Sequence, residues 1–165
     1  MGRTNLPTRR SKPKYRQSGG KNNMLIVLDT NVLISGLLNP NGVPGQIVKQ
    51  VLARVIRLAV DRRILGEYHA VTERPHLKIN PLDRQTTLAA IDASSLRTDS
   101  QPLDLSPKDV IDPKDLPFAE VAVASHAQFL VTGNRKHFGF MQRFNIPVLS
   151  PAEFIEKIQD DKIEG

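Results

Sequence analysis

The sequence predicts an α/β fold, namely a three-layer α/β/α domain in which helices cover both faces of a mainly parallel central sheet. Short apolar runs alternate with segments of helical periodicity over about 140 residues. The apolar runs are unbroken, which is typical of strands that are buried on both faces in parallel sheets. The chain has 165 residues, enough for one domain with a real core and too few for two large ones.

The strands are predicted from the apolar runs. Met24–Leu28 is the first strand, and residues 55–60 and 128–132 form two further buried strands. Residues 146–149 contain a proline, which is tolerated in an edge strand, so a short edge strand is predicted there. Another short strand is predicted near residues 103–105, within an irregular connection that contains prolines.

Helical spacing and proline positions predict the helices between these strands. A proline suits the first turn of a helix, and Pro44 and Pro81 stand at such positions. Leu96 is predicted on the apolar face of the helix that Pro81 begins. The predicted helices cover roughly residues 44–54, 63–74, from 81 to 96, from 115 to 125 and 151–158.

The positive charge of the chain is concentrated at its N-terminus. Residues 1–23 hold seven of the 23 basic residues and none of the 17 acidic ones, so the remainder is close to neutral. We predict a basic, disordered tail over residues 1–23 and a folded domain over residues 24–165. Such a tail can contact phosphates without reading sequence. The alternative interpretations are a solvated leader and the product of a start codon placed upstream of Met24.

The composition excludes several classes of protein. The chain has no cysteine, so disulfide frameworks and thiolate metal sites are excluded. No segment approaches the roughly 18 apolar residues of a membrane span, and no secretory signal is recognised at the N-terminus. The four histidines have no zinc-ligand spacing. We therefore expect a cytoplasmic protein that does not associate with membranes.

Polar oxygens stand at comparable places near the ends of the predicted strands. Asp29 ends the first strand, Glu67 lies on the helix after the second, and Asp115 begins the helix before the third, which Asn134 follows. The carboxyl ends of parallel strands form one crevice, so these side chains can converge. Oxygen ligands favour Mg²⁺ or Mn²⁺, and a divalent ion offsets the repulsion between carboxylates. This set predicts metal-dependent hydrolysis of phosphodiester bonds.

Each acid also has an ordinary structural interpretation. Asp29 and Asp115 are well placed to cap the helices that follow them, and an acid such as Glu67 is common on an exposed helix face. Asp112 and Glu120 are further candidates for metal contact, although a turn and a surface position explain them as well. A phosphatase of the haloacid-dehalogenase type is disfavoured, because it needs a second acid where this chain has Asn31.

Four segments resemble the motifs of PIN-domain nucleases. LDTNVLI at residues 28–34 is similar to the opening signature of that family, and RILGEY at residues 63–68 is similar to its second motif. DLPFAEVA at residues 115–122 resembles the third motif, and LVTGN at residues 130–134 resembles the segment that often ends in a fourth acid. Order and spacing agree from about residue 24 to residue 155, and the branch resembles the VapC-type toxins of bacterial toxin–antitoxin pairs.

The resemblance implies a Mg²⁺- or Mn²⁺-dependent ribonuclease. It assigns Asp29, Glu67 and Asp115 as the catalytic residues that hold the metal, with Asn31 and Thr132 orienting these carboxylates or the attacking water. Asn134 replaces the fourth acid of the fuller pattern, which makes the site less negative and favours one well-occupied metal site. In-line attack of water on phosphorus would leave a 5′-phosphate and a 3′-hydroxyl.

The resemblance also implies partners. Single-stranded RNA is the expected substrate, an antitoxin protein would block the acidic cleft, and self-association is plausible. Arg135 and Lys136 follow the predicted site and are candidates for contact with the RNA backbone. Three phenylalanines, Phe138, Phe140 and Phe144, could stack on bases or pack in the core. The alternative function is a non-catalytic RNA-binding or regulatory module with the same fold.

Overall fold

The computed structural model describes the backbone of residues 23–164 and the side chains of residues 23–161. The predicted basic tail therefore lies outside the described residues, except for Asn23. The strands are β1 (Met24–Leu28), β2 (Ile56–Val60), β3 (Leu96–Arg97), β4 (Phe129–Val131) and β5 (Val148–Leu149). They form one five-stranded sheet in the order β3-β2-β1-β4-β5, and every strand pair in it is parallel.

Six α-helices flank this sheet within the described residues. They are α1 (Thr30–Leu38), α2 (Val43–Leu52), α3 (Arg62–Thr72), α4 (Pro81–Ser94), α5 (Leu116–Ser125) and α6 (Pro151–Glu164). Helix α2 packs against α4 and α6, while α5 packs against β1, β2 and β4. The predicted three-layer α/β/α architecture is confirmed. No helix in residues 23–164 combines the length and the apolar character needed to cross a membrane.

Local interactions explain why α3 and α4 begin where they do. The Asp61 carboxylate accepts a hydrogen bond from the backbone N–H of Ile64 at 3.0 Å, which satisfies a free donor in the first turn of α3. The Asn80 side chain does the same for two N–H groups of α4, and Pro81 occupies its first position. The cap of Asp61 thus fixes the start of α3, the helix that carries Glu67.

The core lies on both faces of the two central strands. Ile26 and Val27 of β1 and Leu130 of β4 are completely buried. Tyr68 is also completely buried, and its hydroxyl donates a hydrogen bond of 2.6 Å to the backbone carbonyl of Leu28. This bond joins α3 to the last residue of β1, so the packing of the core holds Glu67 beside the strand that ends at Asp29.

The predicted edge strand is present, as the short β5, but two other predictions around β3 are wrong. The helix predicted through Leu96 ends at Ser94, because the backbone of Ser95 is extended and its hydroxyl bonds back to the carbonyl of Ile91 at 2.7 Å. Leu96 instead begins β3 and pairs with Ala59. No strand forms at residues 103–105, where Leu103 and Leu105 pack as half-buried side chains against the core.

A stretch of 3-10 helix over Arg135–Phe144 follows β4 and was not predicted. It takes Phe138 and Phe140 into the core, where only 1% and 8% of their surfaces are exposed. Of the two interpretations of these side chains, core packing is therefore the correct one. Phe144 is half-buried and also packs against the core.

The order of the strands creates a crevice between β1 and β4. The chain leaves β1 for β2 and β3 on one side and returns to β4 on the other side. At such a reversal of strand order, ligands bind beyond the carboxyl ends of the strands. The backbone N–H of Asp29 donates to the carbonyl of Val131 at 2.9 Å, which holds the ends of both strands together at this edge.

Candidate active site

An acidic cleft of about 270 Å³ opens at the carboxyl ends of β1 and β4. Its walls include all three predicted catalytic carboxylates, Asp29, Glu67 and Asp115, which come from three separate parts of the chain. Asp29 directly follows β1, Glu67 lies in the middle of α3, and Asp115 directly precedes α5. Asn31 and Asn134 also line this cleft. The structure therefore brings together the acids that the motifs suggested.

Asp29 is held by Thr132. Only 7% of Asp29 is exposed, and the Thr132 hydroxyl donates a hydrogen bond of 2.6 Å to Oδ2 of its carboxylate. The Thr132 oxygen in turn accepts from the backbone N–H of Asn134 at 3.0 Å. Asp29 occupies the N-cap position of α1, but its side chain makes no capping hydrogen bond there. Capping alone therefore does not explain this buried acid.

Burial raises the pKa of Asp29 above its ordinary value of 3.8, and the negative charges of Asp115 and Glu67 raise it further. The hydrogen bond from Thr132 opposes this shift, because it stabilises the ionised form. The negative charges of Asp115 and Glu67 thus act on Asp29 across the cleft. A cation in the cleft would relieve the repulsion between them.

Glu67 is bound by a residue that sequence reasoning did not single out. The hydroxyl of Thr30 donates a short hydrogen bond to Oε2 of Glu67, and Thr30 itself is 4% exposed. The contact joins the first turn of α1 to α3. The sequence does contain a signal for Thr30, because this residue directly follows Asp29 in the first motif.

Asp115 faces His137, and this contact was not predicted from the sequence. Nδ1 of His137 lies 2.9 Å from Oδ2 of Asp115, and His137 also lines the cleft. Burial raises the pKa of Asp115, with further contributions from the charges of Asp112 and Glu67, while His137 opposes the rise. Zinc-ligand spacing identifies histidines that share a metal ion. Its absence therefore does not bear on a histidine that contacts a single carboxylate. Its position three residues after Asn134 was the available signal.

The remaining polar candidates separate into two groups. Asp112 lines the acidic cleft, and its carboxylate accepts from the backbone N–H of Lys114 at 3.0 Å. Glu120 does not line the cleft. It is 8% exposed and pairs with Arg63 at 2.8 Å, so the interpretation of Glu120 as a surface residue is wrong. The ion pair joins α3, which carries Glu67, to α5, which begins directly after Asp115.

The two basic candidates lie outside the walls of the acidic cleft. Arg135 pairs with Glu153 at 3.2 Å and lines a different groove, together with Phe138 and Val148. Lys136 is exposed. The cationic side chains that do line the acidic cleft are Arg74 and Lys114.

The donor set of the cleft fits a hard divalent cation. Asp29, Glu67 and Asp115 offer carboxylate oxygens, and Asn31 and Asn134 offer amide oxygens, the ligand type that Mg²⁺ and Mn²⁺ prefer. Within residues 23–161, no three Asp, Glu or His side chains already stand at the spacing of a metal cage. Glu67 contacts Thr30 and Asp115 contacts His137, and the acids have to move towards one another to coordinate one ion together.

Comparisons with known proteins place the chain in a family. The PIN domain family model matches residues 25–136. An uncharacterized protein of Methanocaldococcus jannaschii is 28% identical over 146 residues, which make up 81% of this chain and 91% of that relative. A solved structure of VapBC2 from Rickettsia felis, bound to a DNA fragment from their promoter, is similar with a TM-score of 0.46 and 18% identity, covering 77% of this chain and 98% of that one. Since the family model matches more than half of the sequence, this chain belongs to the PIN domain family.

Proposed function

We propose that this protein is a metal-dependent endoribonuclease that hydrolyses phosphodiester bonds of single-stranded RNA. The observation that carries the proposal is the convergence of Asp29, Glu67 and Asp115 in one cleft at the carboxyl ends of β1 and β4. Membership of the PIN domain family supports it, because PIN domains are generally nucleases that use divalent metal ions.

The proposed chemistry assigns a task to each group in the cleft. Asp29, Glu67 and Asp115 hold Mg²⁺ or Mn²⁺, which when bound lowers the pKa of the attacking water and neutralises charge on the phosphoryl oxygens. Thr132 keeps Asp29 ionised and oriented through its 2.6 Å hydrogen bond. Asn31 and Asn134 add neutral polar groups, so the three proposed ligands alone carry negative charge towards the metal, which favours a single ion. The products carry a 5′-phosphate and a 3′-hydroxyl.

The test is cleavage of end-labelled single-stranded RNA by the purified full chain, with Mn²⁺, Mg²⁺ and chelator in parallel. Asp29→Asn removes a carboxylate from the cleft, and Asp160→Asn removes one from the exposed surface of α6 as a matched control. We expect metal-dependent cleavage that Asp29→Asn abolishes and Asp160→Asn leaves intact. RNA binding without any cleavage would instead support the non-catalytic RNA-binding module.

We further propose that the nuclease is the toxin of a toxin–antitoxin pair. This role is supported by the resemblance of four segments to VapC-type toxins. An antitoxin that inserted a basic side chain into the acidic cleft would compete with the metal for the same carboxylates. Co-expression with a small neighbouring reading frame tests the role. Co-purification and loss of cleavage are expected, whereas cleavage unaffected by any such product would favour housekeeping RNA processing.

A further inference from the structure

Two cationic side chains stand at the acidic cleft without an anionic partner. Arg74 follows the end of α3, the helix that carries Glu67, and Lys114 directly precedes Asp115. Both residues are exposed, and neither side chain makes a hydrogen bond or an ion pair with residues 23–161. The cleft is therefore lined both by carboxylates and by two cationic side chains that make no ion pair with them.

Three arginines of the described residues differ in this respect. Arg63 is paired with Asp61 and Glu120, Arg135 with Glu153, and Arg143 with Asp109. Their charges are already matched by the protein. Arg74 and Lys114 share a cleft with the carboxylates but make no ion pair with them, and the side chains that contact the three proposed catalytic acids are Thr30, Thr132 and His137. The two cations are thus available to an anion from outside.

From this arrangement we infer that Arg74 and Lys114 bind the backbone phosphates on either side of the scissile one. The inference rests on the proposed ribonuclease activity and adds the residues that grip the substrate. A polyanion that approaches the carboxylates is repelled, and the cations that line the same cleft offset that repulsion. The guanidinium of Arg74 can bind a phosphate through two parallel hydrogen bonds, whereas Lys114 acts as a compact point charge.

The salt dependence of binding measures such contacts directly. Each phosphate contact on a single strand contributes about 0.7 to the slope of log affinity against log salt concentration. We therefore expect Arg74→Gln and Lys114→Gln each to lower the magnitude of that slope by about 0.7, and the double variant by about 1.4. The basic tail of residues 1–23 adds the same contribution to every variant, so it does not affect these differences.

The experiment is fluorescence anisotropy of a labelled single-stranded RNA with the full chain, in chelator so that the RNA stays intact, over a series of NaCl concentrations. Lys49→Gln is the matched control, because Lys49 is an exposed lysine in the last turn of α2, away from the acidic cleft. Its slope should equal that of the wild type. Cleavage kinetics with Mn²⁺ should show a raised KM and an unchanged kcat for Arg74→Gln.

Three results would overturn the inference. Wild-type slopes in both Arg74→Gln and Lys114→Gln would show that these side chains meet no phosphate. A loss confined to Arg135→Gln would place the backbone in the groove beside Phe138 instead. A wild-type protein that neither binds nor cleaves RNA would remove the proposed function itself, and the inference with it. If only the inference fails, the wild type still binds RNA, and the variants show the same salt slope as the wild type.

Discussion

Replacing Thr132 by valine removes one hydroxyl and nearly preserves the shape of the side chain. Thr132 is completely buried, and its Oγ1 takes part in two hydrogen bonds. It donates to the Asp29 carboxylate at 2.6 Å and accepts from the N–H of Asn134 at 3.0 Å. A bond to a charged group contributes about 1.5–3 kcal/mol and a neutral one about 0.5–1.5 kcal/mol. Thr132→Val should therefore lower the free energy of unfolding by about 2–4.5 kcal/mol.

The same substitution should damage the proposed metal site. The hydrogen bond from Thr132 lowers the pKa of Asp29 against the effect of burial, so its loss raises that pKa further. The carboxylate also loses the donor that orients it. Removing a partner that orients a metal ligand typically costs about 10–100-fold in metal affinity or activity. We expect a loss of that size in both the affinity for Mn²⁺ and the rate of RNA cleavage.

Thr132→Ser is the matched control, because it keeps the hydroxyl and removes the methyl group. It should cost about 1 kcal/mol of stability and leave Mn²⁺ affinity close to that of the wild type. Urea unfolding gives the stability of each variant, and the increase in Tm with Mn²⁺ gives the affinity. The reasoning is refuted if Thr132→Val binds Mn²⁺ as tightly as the wild type, or if Thr132→Ser loses as much affinity as Thr132→Val.

Two further predictions concern packing and pH. A Cβ at Gly45 would lie 2.1 Å from the carbonyl oxygen of Pro40, whereas one at Gly66 meets nothing within 4 Å. Gly45→Ala should lower the free energy of unfolding by about 3 kcal/mol or more, and Gly66→Ala should raise it by about 0.5–1 kcal/mol. Urea unfolding measures both, and equal effects of the two substitutions would contradict the prediction. Burial raises the pKa of Asp29 and of Asp115 above 3.8. Since a metal binds their ionised forms, the affinity for Mn²⁺ should begin to fall at a pH above 3.8 on acidification, and an affinity that stays constant down to pH 3.8 would contradict the shift.

The raised pKa of Asp29 also has a consequence for the protein without metal. The folded-state pKa lies above the ordinary value, so the ionised carboxylate destabilises the fold at neutral pH. This destabilisation is present above the folded pKa and is relieved as the pH falls through it. The cleft therefore keeps an acid whose charge opposes folding until a cation binds, a cost that is common at functional sites.

The sequence predicted the parts of the fold that depend on local pattern. Met24–Leu28 is a strand with the predicted bounds. A short, unbroken apolar run needs burial on both of its faces, and a central strand of a layered domain provides that burial. Pro44 and Pro81 correctly marked the first turns of α2 and α4. The helix was wrongly extended to Leu96, because the spacing of Leu96 from Ile91 along the chain is compatible with a helix. The extended backbone of Ser95 ends the helix before Leu96.

The acids of the cleft were predictable because each lies in a short, recognisable segment. Their partners were not, because each contact joins residues that are distant in sequence. Thr30 reaches Glu67 across 37 positions, and His137 reaches Asp115 across 22. The partner of Glu120, Arg63, lies 57 positions earlier, so the sequence gives no sign that Glu120 is a buried, paired acid rather than a surface residue. Such pairings depend on which helices the sheet brings together, and periodicity along one segment does not reveal them.

Anomalous diffraction from crystals soaked in Mn²⁺ shows whether Asp29, Glu67 and Asp115 hold one divalent cation between them. We expect a single anomalous peak bounded by these three carboxylates, with Glu67 and Asp115 moved towards it. Asp29→Asn crystals should lack that peak. An ordered cleft with no peak between the carboxylates at saturating Mn²⁺ would show that they do not form a metal site.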